Sequence, residues 1–265
     1  MARSEAIEAF LTTGTRPAEW DAWGGDAACG EATMRRVLVR IVTHRCEGAP
    51  LRGRIPTVDP AQVVLDRVRG MLDGLLHADE ARSMARLLRE RVCVVTPESY
   101  ESDIAKLSLE DAWTLANVLL EDLGVPPISD DTPQLDGLCA AGHAWVPPGG
   151  LQARTPTTDV VVHEVAHLLH TLTRRDLGLE GGTGPLVPVP PALYESFAYA
   201  CELWSCGDGS GVQGGVVQEA MHAAHLMDVR VNRERLRAAL AAAARGGWAA
   251  LRDSVIPAQD VAATA

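Results

Sequence analysis

Aromatic side chains are scarce in this chain of 265 residues: two Phe, three Tyr and six Trp, 4% in all. Its core must therefore be mostly aliphatic. Lysine is nearly missing too: Lys106 is the only one, and every other cationic side chain is Arg. Positive charge is in deficit overall, with 24 Lys+Arg against 35 Asp+Glu and a formal net charge of −11. Such a surface repels phosphates, which argues against nucleic acid as a main partner. No window approaches the ~18 uninterrupted apolar residues of a membrane span. Met1 to Trp20 contains no apolar stretch of the secretory kind, so the cytoplasm is the expected compartment. The six cysteines, Cys29, Cys46, Cys93, Cys139, Cys201 and Cys206, include no Cys-x-x-Cys pair. That excludes a zinc ribbon and a disulfide-dense scaffold, and reduced, mostly buried thiols are expected instead.

What is present is ordinary globular composition, 47% apolar and 22% charged. The length suits one large domain or two small ones. Helical patterns dominate. Met34, Val37, Leu38, Ile41 and Val42 recur at helical spacing within 31–45. Pro60 opens a second amphipathic run to about Leu76, and 79–91 reads as a third. Ser108 fits the N-cap of a helix ending near Gly124. Val92–Thr96 and Leu138–Val146 are the extended candidates, stopped by Pro97 and Pro147. Thr158 or Asp159 caps a helix running to Leu172, and Pro191 to Trp204 is helical with proline in its first turn. More helices are expected around 216–229, 233–244 and 248–255. The fold class is thus α+β and helix-rich, with a short mixed sheet before the helix at 160 and a mainly helical C-terminal part. An N-terminal region of 1–150 and a C-terminal part of 151–265 are expected to form one catalytic unit with a central cleft.

The most informative segment is Val160-Val-Val-His163-Glu164-Val-Ala-His167-Leu-Leu-His170-Thr-Leu172. Four residues advance a helix by about 400°, so His163 and His167 share a face one turn apart. Both imidazoles can reach one ion at about 2.1 Å. Glu164 is rotated by about 100° from His163. From there it is suited to accept a proton from a metal-bound water rather than to ligate. The other side chains of this helix are apolar nearly all round, so it should be buried. Burying two imidazoles and a carboxylate is costly unless a cation satisfies them.

This segment resembles the active-site helix of the zincin metallopeptidases. The resemblance covers about fifteen residues here and a second short element, and it implies a zincin-like fold, one Zn2+ per chain and hydrolysis of a peptide-like bond. The metzincin variant requires Gly and His where the chain has His170 and Thr173, so it is excluded. The aspzincin variant is not supported, because Gly182-Thr183-Gly184 is followed by no Asp. His170 lies almost two turns from His163 and cannot share its ion; it either hydrogen-bonds nearby or is a packed core histidine, and we favour the second. Tyr194-Glu195-Ser196-Phe197-Ala198 resembles the Glu-x-x-Ala element from which gluzincins take their third ligand, so Glu195 is the expected ligand. Glu202, seven residues on and on the same face, is either a back-up ligand or an acceptor behind one. In the thermolysin-like branch an Asp stands four residues after the Glu, where this chain has Tyr199.

Gly142-His143-Ala144-Trp145-Val146 resembles the edge strand on which thermolysin-like enzymes pair an extended substrate. Ala144 and Trp145 are therefore expected to bind substrate, with a packed core strand as the alternative. An oxyanion donor is also needed. Tyr194 is one candidate. His222 and His225, with Asp228 nearby, are others, by similarity to the downstream histidine of the same enzymes. Arg230 and Arg233 suit either a substrate carboxylate or a solvated face. The Gly/Pro-rich loop at 175–190 is a candidate gate. The expected activity is zinc-dependent cleavage of a peptide or peptide-like amide, with Glu164 as general base. The alternatives are a biosynthetic enzyme acting on a small-molecule amide or ester, and a non-catalytic zinc-stabilised binding module.

Overall fold

Residues 3–16, 27–49, 59–129, 135–155, 157–207 and 230–256 are described by the structure, a computed structural model. Among them the helices are α1 (Arg3–Thr13), α2 (Ala27–Cys46), α3 (Pro60–Leu75), α4 (Ala78–Arg91), α5 (Tyr100–Ile104), α6 (Leu109–Asp122), α7 (Pro148–Gln152), α8 (Val160–Thr171), α9 (Tyr194–Cys206) and α10 (Arg233–Val255). Several start where a side-chain oxygen meets an orphan backbone N–H. Asp59 accepts from Ala61 at 3.0 Å, Ser108 from Asp111 at 3.0 Å and Asn232 from Arg235 at 3.1 Å. Such a cap stabilises a helix by ~1 kcal/mol. The fold is helix-rich α+β with one small three-stranded mixed sheet. No described helix is long and apolar enough to cross a membrane.

The strands are β1 (Val92–Val94), β2 (Leu138–Ala140) and β3 (His143–Val146), in the order β1-β3-β2. The single extended stretch expected over 138–146 is a hairpin. Ala141 and Gly142 both have positive φ, 50° and 69°. That is the two-residue turn whose twist matches antiparallel strands. β3 has a neighbour on each side, so the expected edge strand is a central one. The pairing of Ala144 and Trp145 with substrate is corrected accordingly, since their backbone groups serve the sheet. Trp145 is fully buried and its indole N–H donates to the Ala140 carbonyl at 3.4 Å, which is the core-strand alternative.

The chain divides into two compact units, neither continuous in sequence. One comprises Met1–Ile55, Val94–Ala141 and Trp145–Gln152. Its centre is α6, which packs against α2, α5 and α7. Leu115, Ala116, Leu119 and Leu120 of α6 are buried. The buried Tyr100 hydroxyl donates to the Ala112 carbonyl at 2.8 Å, and the Trp113 indole donates to Leu11 at 2.9 Å. The other unit comprises Pro56–Cys93, Gly142–Ala144 and Ala153–Ala265, so α3 and α4 group with α8 rather than with the N-terminal helices. Here α8 packs on α9 and α3, and α9 packs on α10. Gly74 lets α3 approach α10 closely, since a Cβ there would lie 2.2 Å from the Trp248 side chain. α10 is broken at Gly246-Gly247, which accounts for the two helical patterns at 233–244 and 248–255. The helix expected over 216–229 lies outside the described residues.

Candidate metal centre

His163, His167 and Glu195, with the side chains that contact them, lie in the second unit. α8 opens on Asp159, whose Oδ1 accepts from the Val162 N–H at 3.4 Å. Val161, Val162, Val165, Ala166, Leu168 and Leu169 are all 0% exposed, as the all-round apolar pattern requires. Burial of a Val or Leu side chain contributes about 1.5–3 kcal/mol, so this helix is fixed by its packing. After Leu172 the chain returns along the helix end. Leu186 N–H donates to Leu172 at 2.8 Å and Val187 N–H to Leu169 at 2.9 Å. Arg174 pairs with Asp79 at 3.3 Å and with Glu80 of α4. The loop expected as a gate is thus tied down at both ends. A turn at Pro191–Leu193 then starts α9, with Glu195 in its first turn.

The packing of α9 on α8 brings the predicted ligands together. His163 Nε2 and His167 Nε2 are 3.1 Å apart, and Glu195 Oε2 lies 3.6 Å from each. Among the described residues these are the one such cluster able to hold a metal ion. The three atoms lie on a circle whose radius, from those edges, is about 2.0 Å. A tetrahedral zinc with bonds of about 2.1 Å needs three of its donors on a circle of about 2.0 Å. The donor set, two imidazoles and one carboxylate oxygen, also suits zinc.

The far nitrogens are held as well. His163 Nδ1 lies 3.1 Å from Glu202 Oε2, and Glu202 Oε1 accepts from the Asp159 N–H at 2.7 Å. A carboxylate oxygen at that distance favours a proton on His163 Nδ1. Asp159 in turn meets Arg67 of α3 at 3.3 Å and Arg154 at 3.6 Å. His167 Nδ1 lies 2.8 Å from His170 Nε2. With the Nδ1 atoms turned to these partners, both Nε2 atoms face one point, where a cation could be shared between them. His170 thus meets both expectations: it is buried, and its Nε2 makes a close contact with His167. The Tyr194 ring stacks on it at 3.7 Å and 9°. Tyr199 meets His163 edge-on at 4.5 Å.

The charges agree with a cation at this point. Burial works to lower the pKa of His163, but Glu195 and Glu202 outweigh it and carry the imidazole up to about 10. Glu164 adds to the same pull and is itself buried. Burial would raise the Glu195 pKa, yet the two imidazoles hold it well below the usual carboxylate range. Burial lowers His167, and burial with the neighbouring His167 takes His170 down to about 3. Without a metal, a proton on His163 balances these carboxylates.

His163, Glu164, His167, Glu195, Glu202 and Tyr194 are thus brought together on α8 and α9. His222 and His225 lie outside the described residues. Arg230 is a contact that the sequence reading assigned to substrate or solvent: its Nη1 lies 2.9 Å from Glu195 Oε1. Arg67 and Arg154 were also missed, because only the fold brings them to Asp159. Comparison with protein-family models, curated proteins and solved structures gives no match to this chain.

Proposed function

We propose that the protein is a zinc-dependent hydrolase of the zincin type, in the gluzincin branch, that cleaves a peptide or peptide-like amide bond. The observation that supports this best is the donor triangle: two Nε2 atoms and one Glu195 oxygen at separations of 3.1 and 3.6 Å. Zinc bound by His163, His167 and Glu195 would polarise a carbonyl and lower the pKa of water toward ~7. Glu164 takes the proton of the attacking water and passes it to the leaving amine. Glu202 and His170 fix the tautomers and aim the imidazoles. Tyr194, one of the expected oxyanion donors, stacks on His170 and supports it. Three ligands leave the open position that a catalytic site needs and a structural site lacks.

One observation bears on a variant of this reading. β3 is paired on both sides, so it offers no free edge to an extended peptide. That removes the support β3 gave to a peptide substrate and brings a small-molecule amide or ester, cleaved by the same groups, level with it. Digestion of a peptide library alongside a panel of small N-acyl amides separates the two substrate classes. The chemistry itself is tested by Glu164→Gln. The variant should keep its zinc and lose about 10²–10⁴-fold in turnover, as expected for removal of a general base. Turnover at the wild-type level would refute Glu164 as the base.

A further inference from the structure

We propose that Arg230 is a positioning residue that keeps Glu195 a one-oxygen ligand and so preserves the open coordination position. The inference rests on the metal reading above. Glu195 presents its two oxygens to two different partners. Oε2 faces both imidazoles at 3.6 Å, and Oε1 is taken by Arg230 Nη1 at 2.9 Å. A carboxylate that swings to bind through both oxygens adds a fifth ligand beside water and crowds the position that substrate must use. A charge-assisted hydrogen bond to Oε1 opposes that swing.

The position of Arg230 is itself built into the fold. Two residues on, Asn232 N–H donates to Ser196 Oγ at 2.8 Å. Ser196 is buried and adjoins Glu195 on α9. Asn232 also caps α10, which packs on α9. The dipeptide Glu195-Ser196 therefore holds both the guanidinium and the backbone that carries it. Arg230 is half exposed, at 52% of its side chain, against 17% for Glu195. An ion pair so open to solvent contributes little to folding stability, so geometry is where its effect should appear.

The test uses the full-length protein loaded with Co2+ in place of zinc, because the visible bands of cobalt are strong in four-coordinate sites and weaken in five-coordinate ones. Wild type, Arg230→Ala and Arg230→Lys are compared by cobalt spectrum and by zinc affinity against a chromogenic chelator. Circular dichroism checks that each is folded. Wild type should show the four-coordinate spectrum. Arg230→Ala should still bind one equivalent, with weaker five-coordinate bands and roughly 10-fold lower zinc affinity, the low end for loss of a residue behind a ligand. Arg230→Lys keeps a cationic donor and should restore much of the wild-type spectrum. A four-coordinate wild type with an indistinguishable Arg230→Ala overturns the positioning role alone. A folded wild type that takes up neither cobalt nor zinc overturns the metal reading, and this inference with it.

Discussion

Glu202 reaches His163 from one turn further along α9 than the residue that would normally be sought there. The thermolysin-like pattern places an orienting carboxylate four residues after the ligand Glu, and this chain has Tyr199 at that position. Tyr199 still meets His163, but edge-on with its ring at 4.5 Å. The carboxylate comes from Glu202, whose Oε2 lies 3.1 Å from His163 Nδ1. Glu202→Ala should therefore weaken zinc binding by roughly 10–100-fold without removing a ligand. Competition with a metal chelator measures this, and unchanged affinity would make Glu202 a bystander. At this scale, legibility followed distance along the chain. His163, Glu164 and His167 sit on one helix, so spacing alone placed them. Glu195 and Glu202 were legible as one face of a second helix. Arg230 was not, because its side chain meets Glu195 only once α10 packs on α9. His170 was half legible: the pattern marked it as buried and left a nearby hydrogen bond open, but did not name His167 as the partner.

α8 owes its rigidity to three sources: an aliphatic sheath, the Asp159 cap, and an exit held by the chain that follows. The exit includes Thr173, whose N–H and hydroxyl both donate to Asp176 Oδ2, at 2.8 and 2.7 Å. These bonds hold the Asp176 carboxyl below its usual value. A lowered folded pKa means that the charged form is stabilised by folding. The contribution is complete above the unfolded value of about 4 and is lost as pH falls through the folded one. Asp176→Asn should thus melt below wild type at pH 7, and the gap should close as the pH is taken below about 4. A gap independent of pH would refute the charge as its source. The long amphipathic helices α3, α4 and α6 were readable from periodicity and caps, with ends within a residue or two. The hairpin at 138–146 was not, because its first turn residue is Ala141, an unusual choice for positive φ. The five-residue helices α5 and α7 carry too few turns to set a period, and α1 is only weakly amphipathic.

At the scale of the whole molecule, the chain builds its core from Leu, Val, Ile and Ala, with few rings, as the composition required. Its two units interleave in sequence, and that was beyond reach of a linear reading. Composition shifts mark where a chain crosses a boundary only when it does not return, and α3 and α4 return to the unit of α8 and α9. Several charges of that unit form one connected set, from the exposed Arg154 and the largely buried Arg67 through the buried Asp159 and Glu202 to His163. Burying charge is expensive unless each member is matched, and a bound cation would complete the set. Metal content is therefore the most direct measurement. Purified protein supplied with zinc and then dialysed should retain about one zinc per chain by elemental mass spectrometry, the stoichiometry of a single three-ligand site. The same protein carrying His163→Ala, His167→Ala and Glu195→Ala should retain none. Full occupancy in that triple variant, or a folded wild type that holds no zinc, would contradict the account.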